Sequence, residues 1–331
     1  MRFTLVGILA VLLLGFSASA WADPADCHLN QISELTFRMV RGQPVTEVRL
    51  NGKVVHAVLD TGASRTVLSA QGAARLGLAV TWLPAADPIM GVGGMVMTGM
   101  AKVGTLTLGA WQAESVSLMV AGNPNFAPGI EMLIGQDVFS QADVELDFAH
   151  NTFRFFQPDG CDGVPLAYWA DTYAEAVMKA PRGKRRGSNE VFVRLNGHEL
   201  PAILDTGAAT SIVHDVLAHQ VGVHEDDDDV VASGKARGVG AATTQIWRGT
   251  FDSFGIGDEE VRHVHLNFGS FAPKEDRDMV RIAIPMLLGM DFIRSHRIYV
   301  ANSQNKLYFT NVSMPIFDTT KPATPQAAPG P

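Results

Sequence analysis

Apolar and polar residues alternate along Val45–Leu50, "VTEVRL", and the pattern breaks at Asn51-Gly52. A period of two puts one face of a strand on a core, and Asn-Gly is a tight-turn signal. The next run, "VVHAVLD" at Val54–Asp60, reads as the returning strand of a hairpin. Phe192–Asp205, "FVRLNGHELPAILD", writes the same hairpin again. Strands recur at short intervals with Gly turns between them, which predicts a β barrel or sandwich in each half of the chain. Short helices are expected at Ser69–Gly77 and Ile212–Gly222, each ending at a Gly stop. Two more are expected after Leu133-Ile134-Gly135 and Leu287-Leu288-Gly289, with Asp137 and Asp291 as N-caps.

The two hairpins belong to a longer repeat. Val48–Ala63 and Val193–Ala208 share 11 of 16 residues, the second copy lying 145 residues after the first. "GVGG" at Gly91–Gly94 matches "GVGA" at Gly238–Ala241, and "LIGQDVF" at Leu133–Phe139 matches "LLGMDFI" at Leu287–Ile293. The order of the features is kept and the offset grows only through loop insertions. This is the signature of a duplicated domain. It divides the chain into an N-terminal lobe over 23–157, a linker with the first strand of the second lobe over 158–188, a C-terminal lobe over 189–312, and a Pro-rich tail over 313–331 that is expected to be disordered.

Composition narrows the class. Apolar residues make up 47 % of the 331 and charged ones 18 %, which is the make-up of a folded protein with a sizeable core. A net charge of −8 gives no electrostatic case for binding nucleic acid. Residues 1–22 have the layout of a signal peptide: Arg2, the apolar run Leu5–Phe16, then small residues that place cleavage after Ala20 or Ala22. The apolar run falls short of the roughly 20 residues that span a bilayer, so no stable span is expected after cleavage. Export, to a periplasm or out of the cell, permits disulfides, and the two cysteines, Cys27 and Cys161, are expected to form one. The basic run Ala180–Asn189 and the acidic run Glu225–Asp229 read as solvated loops. The pair His263 and His265 lacks a third ligand nearby, so neither a metal nor another cofactor is expected.

What remains is an acid at the same place in each repeat. Apolar residues lead into Asp60 and Asp205 at a strand end, so each carboxyl starts half buried, and burial raises its pKa. Gly62 and Gly207 permit a tight bend beside the acid, and Thr61 and Thr206 supply a hydroxyl to lock the loop. Related lobes associate about a pseudo-twofold axis, and an axis near these loops brings the acids face to face. Two carboxyls about 3 Å apart share one proton. The ionised one is a general base for water and the protonated one a donor to a substrate carbonyl, which is enough to hydrolyse an amide.

The segments Asp60-Thr61-Gly62-Ala63 and Asp205-Thr206-Gly207-Ala208 resemble the active-site loops of retropepsin-type aspartic proteases. Leu133-Ile134-Gly135 and Leu287-Leu288-Gly289 resemble that family's second signature, which supports the loop from beneath. Gly91, Gly93, Gly94, Gly238 and Gly240 resemble its flap hairpins. The resemblance implies a mainly β fold of two acid-protease β-barrel lobes related by a pseudo-twofold axis, a catalytic pair Asp60 and Asp205, loop bracing by Thr61 and Thr206, and a peptide or protein substrate. Both acids sit in one chain, which implies a monomer with pseudo-dimeric lobes. Ala63 and Ala208 stand where pepsin-like enzymes carry a hydroxyl, so activity is expected at milder acidity, and neither flap carries the Tyr of a pepsin-like flap. A peptide-binding module of the exported envelope that no longer cleaves is the alternative on the same fold.

Overall fold

The computed structural model describes residues 26–83, 89–91, 94–124, 126–180, 189–240, 243–270 and 286–317. The proposed signal peptide, the tip residue Gly93 and the basic run from 181 to 188 lie outside them. No helix among the described residues is long and apolar enough to cross a membrane.

Both predicted hairpins form, and their turns explain the repeated Asn-Gly. Asn51 and Gly52 have φ of 50° and 76°, and Asn196 and Gly197 have 48° and 77°. Two consecutive left-handed residues make the turn whose twist matches the flanking strands. The alternation then places Val48, Leu50, Val193 and Leu195 in the core. The helix Ala70–Leu76 follows its expected span and stops at Gly77 with φ 74°, whereas Ile212–His214, expected to open the second helix, form a strand, and that helix is Asp215–Gln220 with Val221 as its C-cap.

Each lobe closes its sheet. In the N-terminal lobe eight strands run in the order Arg38–Val40, Gln43–Leu50, Lys53–Leu59, Met132–Ile134, Val67–Ser69, Trp111–Ala121, Thr98–Leu108 and Val80–Trp82, and Gln43–Leu50 also pairs with Thr98–Leu108. In the C-terminal lobe seven strands repeat that order from Glu190–Leu195 to Val231–Ala236, closed by Glu190–Leu195 against Thr244–Ile256. The result is mainly β, with two retropepsin-like barrel lobes.

A third sheet belongs to both lobes. Its six strands run His28–Thr36, Thr152–Asp159, Asp143–Asp147, His296–Ala301, Lys306–Asn311 and Ala174–Val177. The central seam pairs Val144 with Val300 and Leu146 with Ile298. Across it Arg297 Nε donates to the fully buried Glu145 at 2.6 Å, which Arg154 also contacts. The two hairpins of this seam, Asp143–Asp147 with Thr152–Asp159 and His296–Ala301 with Lys306–Asn311, close their respective lobes and lie side by side.

Two expectations are corrected. Asp137 and Asp291 are not N-caps: Gly135 and Gly289 hold those positions, and each Asp sits inside the first turn with its carboxylate turned to the preceding loop. The tail is not disordered from residue 313 onward, since Phe317 is buried edge-on against Phe254 at 4.9 Å. Average composition over a Pro-rich stretch hides a single aromatic anchor.

Cys27 and Cys161 are bonded, 134 residues apart in sequence, at the end of the ladder between His28–Thr36 and Thr152–Asp159. The loop is long, so closing it removes much denatured-state entropy. Replacing both cysteines with Ser is expected to lower the unfolding free energy by about 2–5 kcal/mol, read from denaturant midpoints. An unchanged midpoint overturns this.

Candidate active site

The two acidic loops are built alike from the strand up. Ile134 lies in register with Leu59, and Leu288 with Leu204, each on a parallel strand. The Asp60 N–H donates to Ile134 O at 3.0 Å, and the Asp205 N–H to Leu288 O at 2.9 Å. Each acid is therefore fixed where its strand ends. The loop then curls back on its own carboxylate: Gly62 and Ala63 N–H donate to Asp60 Oδ1 at 3.0 and 2.9 Å, and Gly207 and Ala208 N–H to Asp205 Oδ1 at 2.8 and 3.1 Å.

The threonines tie the loops across the lobes. Thr61 Oγ1 donates to Leu204 O at 2.6 Å and accepts from the Thr206 N–H at 3.0 Å. Thr206 Oγ1 donates to Leu59 O at 2.6 Å and accepts from the Thr61 N–H at 3.0 Å. All four bonds are buried, where an unmade partner is costly, so they hold the loops in one mutual register.

This register brings Asp60 and Asp205 together, each carboxyl lying against the glycine of the opposite loop. Gly62 and Gly207 make the approach possible. A methyl group at Gly62 would fall 2.2 Å from Asp205 Cγ, and one at Gly207 2.5 Å from Asp60 Cγ. Asp205 is 8 % exposed, while Asp60 keeps an open edge. Burial pushes the Asp60 carboxyl above the ordinary carboxylate range, against the Ala63 N–H, the Asp205 hydrogen bond and the Gly62 N–H. Asp205 is pushed well above that range by burial, by the charge of Asp60 and by the proton it shares with it. Both carboxyls are thus raised by their shared burial, and the two titrate as a pair rather than singly.

The second signature lies directly beneath. Gln136 N–H donates to Ala63 O and Met290 N–H to Ala208 O, both at 2.9 Å. A Cβ at Gly135 would meet the Arg65 backbone at 2.5 Å, and one at Gly289 that of Thr210 at 2.5 Å. The hairpin glycines sit at two strand turns. Gly91 and Gly94 pair across the gap between Ile89–Gly91 and Gly94–Val96, and Gly238 and Gly240 lie between Val231–Ala236 and Thr244–Ile256. The tip residue Val239 crosses to the N-terminal lobe and packs on the clusters of Val58, Leu133 and Val67.

Several supporting residues were not anticipated. Thr66 and Ser211, six residues after each acid, donate through their side-chain hydroxyls to Asp137 and Asp291 at 2.6 Å and accept from Gly135 and Gly289 N–H. The signal was a hydroxyl and an acid repeated in both copies. Three amides brace the loops with no such signal. Gln136 and Asn189 donate to Thr61 O at 2.8 and 2.7 Å, and Gln43 donates across the lobes to Gly207 O at 2.7 Å. Among the described residues no group of His, Cys, Asp and Glu has the arrangement of a metal site.

Each lobe matches a known family model. Residues 46–138 match a family model described as aspartyl protease, and residues 191–295 match one described as gag-polyprotein putative aspartyl protease. A search of curated proteins returned no match.

Proposed function

Because the chain carries two aspartyl protease domains in tandem, a duplicated two-lobe protein of the retropepsin-like type, we propose that it is an aspartic endopeptidase whose water-activating pair is Asp60 and Asp205. The observation that carries this reading is the close mutual approach of the two carboxyls at mirrored loop positions, each lying against the glycine of the opposite loop.

The chemistry needs only the two carboxyls and one water. Asp60 takes a proton from water as the oxygen attacks the scissile carbonyl carbon. Asp205 gives its proton to the carbonyl oxygen, so a neutral tetrahedral diol forms. On collapse the proton held by Asp60 passes to the departing nitrogen, and a diol hydroxyl returns a proton to Asp205. The C–N bond breaks and the pair is restored. The loop amides keep one oxygen of each acid occupied, which fixes the carboxyl planes before substrate arrives. A peptide lying between the lobes would meet the hairpin tips from above. The Cys27–Cys161 disulfide supports an oxidising location, and with the N-terminal segment it supports export to a periplasm or out of the cell.

The test is cleavage of a mixed peptide library across pH, with and without a peptide analogue carrying a hydroxyl in place of the scissile carbonyl. Activity is expected to fall on the acid side as Asp60 takes up a proton and on the alkaline side as Asp205 loses its own. Both carboxyls are raised, so the optimum is expected above about pH 4, higher than for an ordinary carboxylate pair. An optimum below about pH 3, or cleavage indifferent to the analogue, contradicts the reading.

A further inference from the structure

The walls on either side of the acid pair occupy equivalent positions but differ in chemistry. In the N-terminal lobe Val67 lies in register with Met119, and with Val96 and Ala121 they form an apolar wall. In the C-terminal lobe the same pairing sets Ile212 beside Asn267. Thr98 pairs with Ala121 and Ile246 with Gly269, so Val96 and Thr244 are also equivalent. Five residues after each acid stand Arg65 and Thr210. Asn267 and Thr244 thus take the places of Met119 and Val96, beside the apolar Ile212, Leu287 and Ala208.

Asn267 is only 8 % exposed. Its amide donates to Thr210 Oγ1 at 3.0 Å, and its Oδ1 has no partner among the described residues. A buried acceptor left unpaired is costly, and such groups in folded proteins call for an explanation. Arg248 stands directly opposite Asn267 on the adjacent strand, yet no hydrogen bond reaches Asn267 Oδ1. Leu266 and Phe268 point into the barrel core, which leaves Asn267 on the face shared with Ile212. That face is the one Val67 and Met119 use in the other lobe to receive Val239.

We infer that the C-terminal wall is a polar specificity subsite, in which Asn267, set by Thr210 and flanked by Thr244, accepts a hydrogen bond from a neutral donor side chain of the substrate, a carboxamide or a hydroxyl. The N-terminal wall takes an apolar side chain on the other side of the scissile bond. Arg248 already sets a positive charge opposite Asn267, and no carboxylate is among the residues named, so an ammonium or guanidinium is disfavoured there. A site built to hydrogen-bond a substrate group rejects the isostere lacking it far more strongly than an apolar pocket rejects an added hydroxyl. The inference rests on the protease reading of Asp60 and Asp205.

The experiment uses a decapeptide library in which every position holds Gln, Thr, Met or Leu, read by mass spectrometry in two arms. One arm follows cleavage by the wild type, Asn267→Met and Thr210→Val. The other follows peptides retained by Asp205→Asn, with and without Asn267→Met. Gln or Thr is expected to be favoured over Met and Leu by about tenfold at one position near the cut, and Asn267→Met is expected to abolish or reverse that preference. Thr210→Val, at an exposed residue, is expected to weaken it and serves if Asn267→Met does not fold. A preference for apolar residues at every position, or one unchanged in both variants, overturns the subsite while cleavage itself upholds the protease. Retention of Gln or Thr peptides that depends on Asn267, without cleavage by the wild type, upholds the subsite and overturns the protease.

Discussion

Asp205→Asn is expected to lower peptide cleavage by roughly a thousandfold or more and, at neutral pH, to raise the melting temperature. The first effect follows from losing the proton donor proposed for the substrate carbonyl. The second follows from linkage. A carboxyl whose pKa is raised by folding contributes stability that is fully present below its unfolded pKa and is lost as pH rises through its folded one. Asp205 is raised well up by burial and by Asp60, so at pH 7, above its unfolded pKa, stability it contributes in acid has been lost. Asparagine keeps a donor toward Asp60 and does not titrate. The gain in melting temperature should therefore shrink as pH falls toward about 4, where the carboxyl is neutral in both folded and unfolded chains. Thermal scans at several pH values decide it. A variant less stable than the wild type at every pH would remove the electrostatic account, and full activity in Asp205→Asn or in Asp60→Asn would sink the two-acid mechanism.

Gly62→Ala is expected to abolish cleavage and to cost about 1–3 kcal/mol or more in stability, although the added group is one methyl. Its Cβ would stand 2.2 Å from Asp205 Cγ and 2.4 Å from Oδ1, inside any allowed contact. Asp205 cannot yield, because its own loop amides hold its Oδ1 and the paired threonines hold the loop. The lobes must separate or the carboxyl must turn away, and either outcome breaks the pair. Gly52→Ala is the control. That site has open space around it and a φ of 76°, so the variant is expected to lose about 1 kcal/mol to backbone strain and to keep its activity. Equal activity in Gly62→Ala and Gly52→Ala would show that the close approach of the acids is not needed.

The sequence made the barrels legible because the signals were local. Alternation along Val45–Leu50 and the Asn-Gly turns depend on neighbouring residues, and both hairpins form as read. The acids were legible because the chain states them twice. Gln43 and Asn189 were not, since a lone amide carries no pattern until its partner, on the other lobe, is known. The shared sheet escaped for a related reason: the pairing of Val144 with Val300 is a contact between copies, and aligning copies only compares them. Asp137 and Asp291 were read as caps from their spacing alone. A tertiary partner in the preceding loop, Thr66 or Ser211, engages each carboxylate, and Gly135 and Gly289 take the cap positions.

The six-stranded sheet, with strands from both lobes, has a consequence for what each half can become. In a dimer of half-length chains every substitution appears twice, and the two acids part company on dilution. Here a covalent crossing and a shared sheet set the effective concentration of one loop for the other, whatever the concentration of the protein. The halves are also released from identity. Met119 and Asn267, or Arg65 and Thr210, can differ only because one chain encodes both. A symmetric pair of acids is thereby free to act on a substrate with a direction, reading one kind of side chain before the cut and another after it.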